Sequence, residues 1–171
     1  MFALRRARES QVPRYMTREG YQAIEGEIKH LWHVERPEIV DSVHEAASLG
    51  DRSENAAYIY GKKRLRAIDS RLRYLRRKIS EVTVVDLGEM PAHANIRFGA
   101  QVTVEDDDGN EKVYRLVDKE ESDPARGRIS IQSPVGRSLL GKQEGDCIEV
   151  TLPKGTVGFE ILRVFYGAGD P

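Results

Sequence analysis

Leu49-Gly50-Asp51-Arg52-Ser53-Glu54-Asn55-Ala56-Ala57-Tyr58 separates two helical patterns, and its reading decides the fold. Before it, Thr17 offers a hydroxyl to cap a helix start, and Tyr21, Ile24, Ile28 and Leu31 follow at three- and four-residue steps. That rhythm is the stripe of a coiled-coil face. Pro37 then removes an amide donor and crowds the preceding turn, which predicts a kink or break over residues 35–37. The stripe resumes through Ile39, Val43, Ala46 and Leu49 and stops at Gly50, so the first helix is expected in two pieces. After the quoted stretch, Tyr58, Gly61, Leu65, Ile68, Leu72, Leu75, Ile79 and Val82 keep the same rhythm. Gly61 is its weak place, costing about 1 kcal/mol against Ala. Residues 53–80 as one helix would run roughly 42 Å. Two such helices joined by a short turn make an antiparallel hairpin with a seam and no broad core. A chain that is 39% apolar and 32% charged over 171 residues fits that expectation.

From Glu81 the period changes from helical to alternating. Residues 85–96, with Gly88 and Pro91, read as a linker. Strands are expected at 101–105, 112–117, 128–131, 146–152 and 157–166, with Asp107-Asp108-Gly109-Asn110 as a hairpin turn. Ser133 and Pro134 open a short helix, as cap and first helical residue, that Gly141 ends. The fold class is therefore α+β. Its parts are a leader at 1–14 expected to be disordered, a coiled-coil hairpin at 15–84 with its acidic turn at 49–55, the linker, and a mostly antiparallel domain at 97–167 with one helix.

No apolar run approaches the length of a membrane span, and the leader lacks the apolar core of a signal peptide. Cys147 is the single cysteine, which rules out an internal disulfide and fits a reducing cytoplasm. Within a predicted strand it reads as core. The net charge of −1 conceals a basic run. Lys62, Lys63, Arg64, Arg66, Arg71, Arg73, Arg76, Arg77 and Lys78 face Asp69 alone, a density suited either to phosphate contact or to a solvated helix surface.

Asp51 and Glu54 admit two readings on spacing alone. As a capping box, an acceptor at the N-cap pairs with an acid three residues on, although Ser53 is itself a good cap. As a metal-holding pair, two carboxylates one turn apart suit Mg²⁺, which takes few protein oxygens and completes its shell elsewhere. A lone pair of acids binds weakly, so this second reading asks for a partner that supplies further ligands. His30 and His33, three apart, lack a third ligand nearby, and Trp32 is expected to pack at the base of the hairpin.

The run ERPEIVDSVHEAASLGDRSENAAYIYGKKRLRAIDSRLRYL at 35–75 resembles the Gre-family transcript cleavage factors of bacterial RNA polymerase, and within them the B-type branch. ISIQSPVGRSLLGKQEGD at 129–146 is similar to the family's C-terminal signature. The likeness covers about residues 15–166; the leader before Tyr15 is longer than is usual in the family. The resemblance implies an N-terminal antiparallel coiled coil and a C-terminal FKBP-like domain that docks on the polymerase beside its secondary channel. It implies that the coiled coil enters the channel. There Asp51 and Glu54 help hold Mg²⁺ at the polymerase's own active centre, Ser53 and Asn55 position water or the RNA end, and backtracked nascent RNA is cut. Lys62, Lys63, Arg64, Arg66, Arg71 and Arg73 become the face that guides the RNA. Ser133, Pro134, Arg137, Leu139 and Leu140 become docking residues. The free protein is expected to be a monomer and not an enzyme by itself.

Three other readings compete. A channel-occupying inhibitor of the same shape would alter the tip acids, and here both stand. A prolyl isomerase would want an apolar pocket, yet the domain's aromatics, Phe98, Tyr114, Phe159, Phe165 and Tyr166, include no Trp to floor one. An RNA-binding arm would leave Asp51 and Glu54 unexplained, since acids repel phosphate.

Overall fold

The computed structural model describes residues 14–48, 54–153 and 155–168. Contacts divide the chain into two units, one of residues 21–82 and one of the remainder. In the first, α1 (Arg18–His30) leads through a π-helical turn (Leu31–Glu35) into α2 (Arg36–Ser48), and α3 (Ala56–Glu81) returns alongside. Thr17 is the cap expected for α1, its Oγ1 accepting from the amide of Gly20 at 3.0 Å.

The kink or break expected over residues 35–37 takes the form of a π-helical turn, Leu31–Glu35, just ahead of Pro37. His30 and Arg36 both keep right-handed helical dihedrals, and the Arg36 amide donates to the carbonyl of Leu31. That bond spans five residues rather than four, the signature of a π turn. Pro37 has no amide to contribute, so a widened turn just before it sacrifices little and relieves the clash of the ring.

The seam follows the predicted stripes. Ile24, Leu31 and Ala46 on one side and Ile68, Leu72 and Leu75 on the other are buried. Gly61 has a positive role in it. A Cβ built there would lie 2.5 Å from Val43 Cγ2, so the absence of a side chain is what lets α3 approach α2 at that turn.

In the second unit, β1 (Arg14–Thr17) pairs with β2 (Val82–Val85). Strands β3 (Gln101–Asp106), β4 (Glu111–Val117), β5 (Arg128–Ser130), β6 (Cys147–Leu152) and β7 (Gly155–Phe165) form a sheet in the order β5-β4-β3-β7-β6. All pairs are antiparallel except β4 with β5. Short helix α4 (Pro134–Leu139) is capped by Ser133, whose Oγ accepts from the Gly136 amide at 3.0 Å. Gly109, at φ 81°, closes the β3–β4 turn, where no side chain is comfortable. The core collects Val102, Val104, Leu116, Leu139, Ile148, Val150 and Ile161.

Two expected boundaries move. The hairpin does not begin at residue 15, because Arg14–Thr17 is strand and Met16 is wholly buried. Glu121 secures that segment by accepting from the Thr17 hydroxyl and from its amide at 3.3 Å. Burial pushes the Glu121 carboxyl above its usual range, while the bonds from Thr17 pull it down. Nor is 85–96 a free linker. Val85 is strand, and Ile96 is buried in the core, its amide donating to Lys142 and its carbonyl accepting from Gly141. Cys147 is exposed rather than core, since Ile148 and Val150 take the inward positions of the alternation in β6.

Replacing Gly61 tests the seam. Helix propensity alone favours Gly61→Ala by about 1 kcal/mol, but the methyl must displace Val43, and overpacking costs about 1–3 kcal/mol. Thermal unfolding is expected to show Gly61→Ala destabilised by about 1 kcal/mol. In a Val43→Ala background the same change becomes stabilising. A gain in the unaltered background would refute the close approach.

Candidate functional site

Of the expected tip residues, Asp51 and Ser53 lie outside the described residues. Glu54 is exposed in a turn directly before α3. Asn55, half-buried with an extended backbone (φ −78°, ψ 98°), is the N-cap of α3. Its Oδ1 accepts from the Tyr58 amide at 3.1 Å, and its Nδ2 donates to the carbonyl of Ala46 at 2.8 Å. This corrects the capping-box reading. Helix α3 starts at Ala56 with Asn55 as its cap, and Glu54 precedes the cap instead of reaching back from the first turn. It also changes what Asn55 does, because backbone groups engage both ends of its amide.

The basic run of α3 resolves into two populations. Arg71 makes a forked pair with Glu27, Nε to Oε1 at 2.7 Å and Nη2 to Oε2 at 2.9 Å. Arg64 pairs with Glu35 at 2.7 Å, and Asp69 receives Arg36 at 2.9 Å. These pairs join α3 to the opposite side of the hairpin. Arg64 and Arg71 are thus seam-edge residues, each engaged by an acid across the hairpin. Lys62, Arg66 and Arg73 recur at steps of four and seven and share another face. Lys63 and Arg66 are exposed, and among the described residues no acid pairs with them. Arg73 donates to Ser70 Oγ at 3.0 Å.

Trp32 does not pack into the seam. It is 42% exposed, with the guanidinium carbons of Arg36 and Arg76 at 5.2 and 4.8 Å from its ring. Both lie within cation–π range. The partners Glu27, Glu35 and Arg36 were missed in the sequence. Only Asp69, isolated in a basic run, hinted at cross-helix pairing.

In the sheet unit, Leu139 is fully buried in the core and cannot meet a partner, which removes it from the expected docking set. Ser133 serves α4 as its cap and also donates to the carbonyl of Ser130 at 2.7 Å. Pro134, Arg137 and Leu140 are exposed. Among the described residues, no group of three or more His, Cys, Asp or Glu is placed to hold a metal ion, and no helix is long and apolar enough to cross a membrane.

Two family models match the chain, "Transcription elongation factor, N-terminal" over residues 14–84 and "Transcription elongation factor, GreA/GreB, C-term" over residues 91–166. The transcription elongation factor GreB of Yersinia pestis is 47% identical over 156 residues, 91% of each chain. That of Haemophilus ducreyi is 47% identical over 152 residues, covering 89% of this chain and 93% of the other. Among solved structures, the GreA factor homolog 1 (Gfh1) of Thermus thermophilus aligns with 90% of this chain and 99% of its own at 22% identity and a TM-score of 0.42, a likeness too low to carry an argument.

The division of the basic run has a measurable consequence. Arg71→Gln or Glu27→Gln is expected to lower hairpin stability by about 0.5–1 kcal/mol, less at high salt. Lys63→Ala and Arg66→Ala are expected to leave the Tm unchanged. Equal losses in the two groups would contradict the assignment.

Proposed function

The chain belongs to the GreA/GreB family of transcription elongation factors, close to its GreB members, and from that premise we propose how it acts on RNA polymerase. It enters the secondary channel as a monomer and stimulates the polymerase's own cleavage of backtracked nascent RNA, returning arrested complexes to elongation. The observation that carries this reading is the turn between α2 and α3. Glu54 stands exposed beside the cap, and the cap itself is a neutral Asn, so the tip acids are not needed to start the helix.

The donor set fits Mg²⁺ in chemistry and falls short of it in number. Asp51 and Glu54 offer hard carboxylate oxygens, and a pair of acids fills only part of an octahedral shell. The remaining positions belong to polymerase and RNA, which makes the protein a contributor to a site and not an enzyme. When bound, the metal stabilises charge on the phosphate and supplies a water of lowered pKa. The chain's part is to deliver Asp51 and Glu54 to the reacting phosphate, with Ser53 beside them to orient water or the RNA end. Lys62, Lys63, Arg66 and Arg73 attract the phosphates of the extruded strand over a diffuse field. Pro134, Arg137 and Leu140 are the exposed remainder of the docking set. The single cysteine and the polymerase partner both suit the cytoplasm.

Purified protein mixed with backtracked elongation complexes and Mg²⁺, with the RNA products sized, provides the test. Asp51→Asn and Glu54→Gln are each expected to keep polymerase binding and slow cleavage at least tenfold, a loss of about 1.4 kcal/mol in transition-state stabilisation or more. The protein without polymerase should release no RNA fragments. Normal cleavage by Asp51→Asn would refute the tip assignment.

A further inference from the structure

We propose that Trp32, with the guanidinium groups of Arg36 and Arg76 against its ring, is a stacking site for the bases of single-stranded RNA. The inference rests on the function proposed above and adds a contact remote from the reacting phosphate.

Lys62, Arg66, Asp69, Arg73 and Arg76 recur at steps of four and three, which places them on one face of α3. Asp69 is the single acid of this stripe, and Arg36 of α2 engages it at 2.9 Å. Among the described residues no acid pairs with Arg66 or Arg76. The stripe therefore keeps uncompensated cations, the charge that a phosphate backbone seeks. Cations alone do not distinguish a nucleic acid from an acidic protein surface; Trp32 supplies the distinction. Its indole is 42% exposed, and the guanidinium carbons of Arg36 and Arg76 lie 5.2 and 4.8 Å from the ring centre. Burial does not account for it, since the neighbouring Leu31 occupies the seam. An aromatic surface among arginines suits an unpaired strand, whose bases stack on rings and guanidinium planes while cations hold the backbone. An acidic peptide has no base to lay against the indole. The rise of α3 from Ala56 to Arg76 is about 30 Å. Trp32 therefore takes bases of the strand well past Glu54 and not the nucleotide that reacts.

Trp32 is the only tryptophan of the chain, so its fluorescence reads the site directly. The full chain is titrated at low salt with oligoadenylate RNA, unlabelled for tryptophan emission and dye-labelled for anisotropy. An oligomer of equal length whose ribose-phosphate backbone lacks bases, and polyglutamate, are titrated alongside. We expect oligoadenylate to quench Trp32, the abasic oligomer to bind with emission unchanged, and polyglutamate to leave emission unchanged. Trp32→Leu should weaken oligoadenylate binding roughly tenfold and leave the abasic oligomer unaffected, while Trp32→Tyr restores most of the affinity. Oligoadenylate that binds without quenching would overturn the stacking site. So would an absence of RNA binding, or equal quenching by the abasic oligomer or by polyglutamate, the last pointing to an acidic protein surface. The cleavage assay run in parallel separates the two ideas. If the parent protein cleaves backtracked RNA and Asp51→Asn does not, while oligoadenylate leaves Trp32 unquenched, the function stands and only the stacking site falls.

Discussion

Two antiparallel helices bury one stripe each, and that narrow seam governs everything else in the hairpin. At Gly61 the backbones come close enough that a methyl would strike Val43. Small Ala46 lies buried in the last turn of α2, and Leu31, Leu72 and Leu75 are buried farther along the seam. With so little apolar surface to enclose, the edges of the seam carry specificity in charge. Glu27 with Arg71, Glu35 with Arg64, and Arg36 with Asp69 each bind one turn of α3 to one turn opposite. A slip by one turn would break all three pairs and drive a side chain into the Gly61 gap. Individually such pairs are worth little, so their common effect is to fix register. Register in turn puts Asn55 within reach of Ala46.

Much of this was legible as period. The four-three stripes placed both helices, Thr17 and Ser133 announced their caps, and Asp107-Asp108-Gly109-Asn110 marked the hairpin between β3 and β4. These signals are local, decided by residues within one turn of each other. What escaped depends on contacts distant in sequence. Met16 is buried because β1 pairs with a strand some seventy residues on. Leu139 is core because α4 packs its inner face, which a motif match does not disclose. Cys147 points outward because the phase of β6 is set by its partner β7, a choice between two faces that composition leaves open. Pro37 was correctly read as a disturbance, but the chain absorbed it by widening a turn rather than ending a helix.

The candidate site was partly legible for the same reason. Arginines along α3 look alike in sequence, yet Arg64 and Arg71 meet carboxylates across the seam, while Arg77 meets Glu81 on its own helix. Arg64 and Arg71 are neutralised by acids on the other side of the hairpin, while Lys62, Arg66 and Arg73 share a face directed elsewhere. Trp32 illustrates the converse. Its size argued for burial, but two guanidinium groups lie over an indole that stays 42% exposed.

At the tip, the identity of the cap bears on the chemistry. A carboxylate that caps a helix has its oxygens committed to amide donors and gains from the positive end of the helix dipole. Recruiting that oxygen to a metal would mean giving up the cap, and the helix would fray as the site formed. Here a neutral side chain does the capping, and it draws its second bond from the carbonyl of the opposite helix. The cap of α3 thus does not draw on Glu54, and the oxygens of that acid are not the ones committed to the helix start.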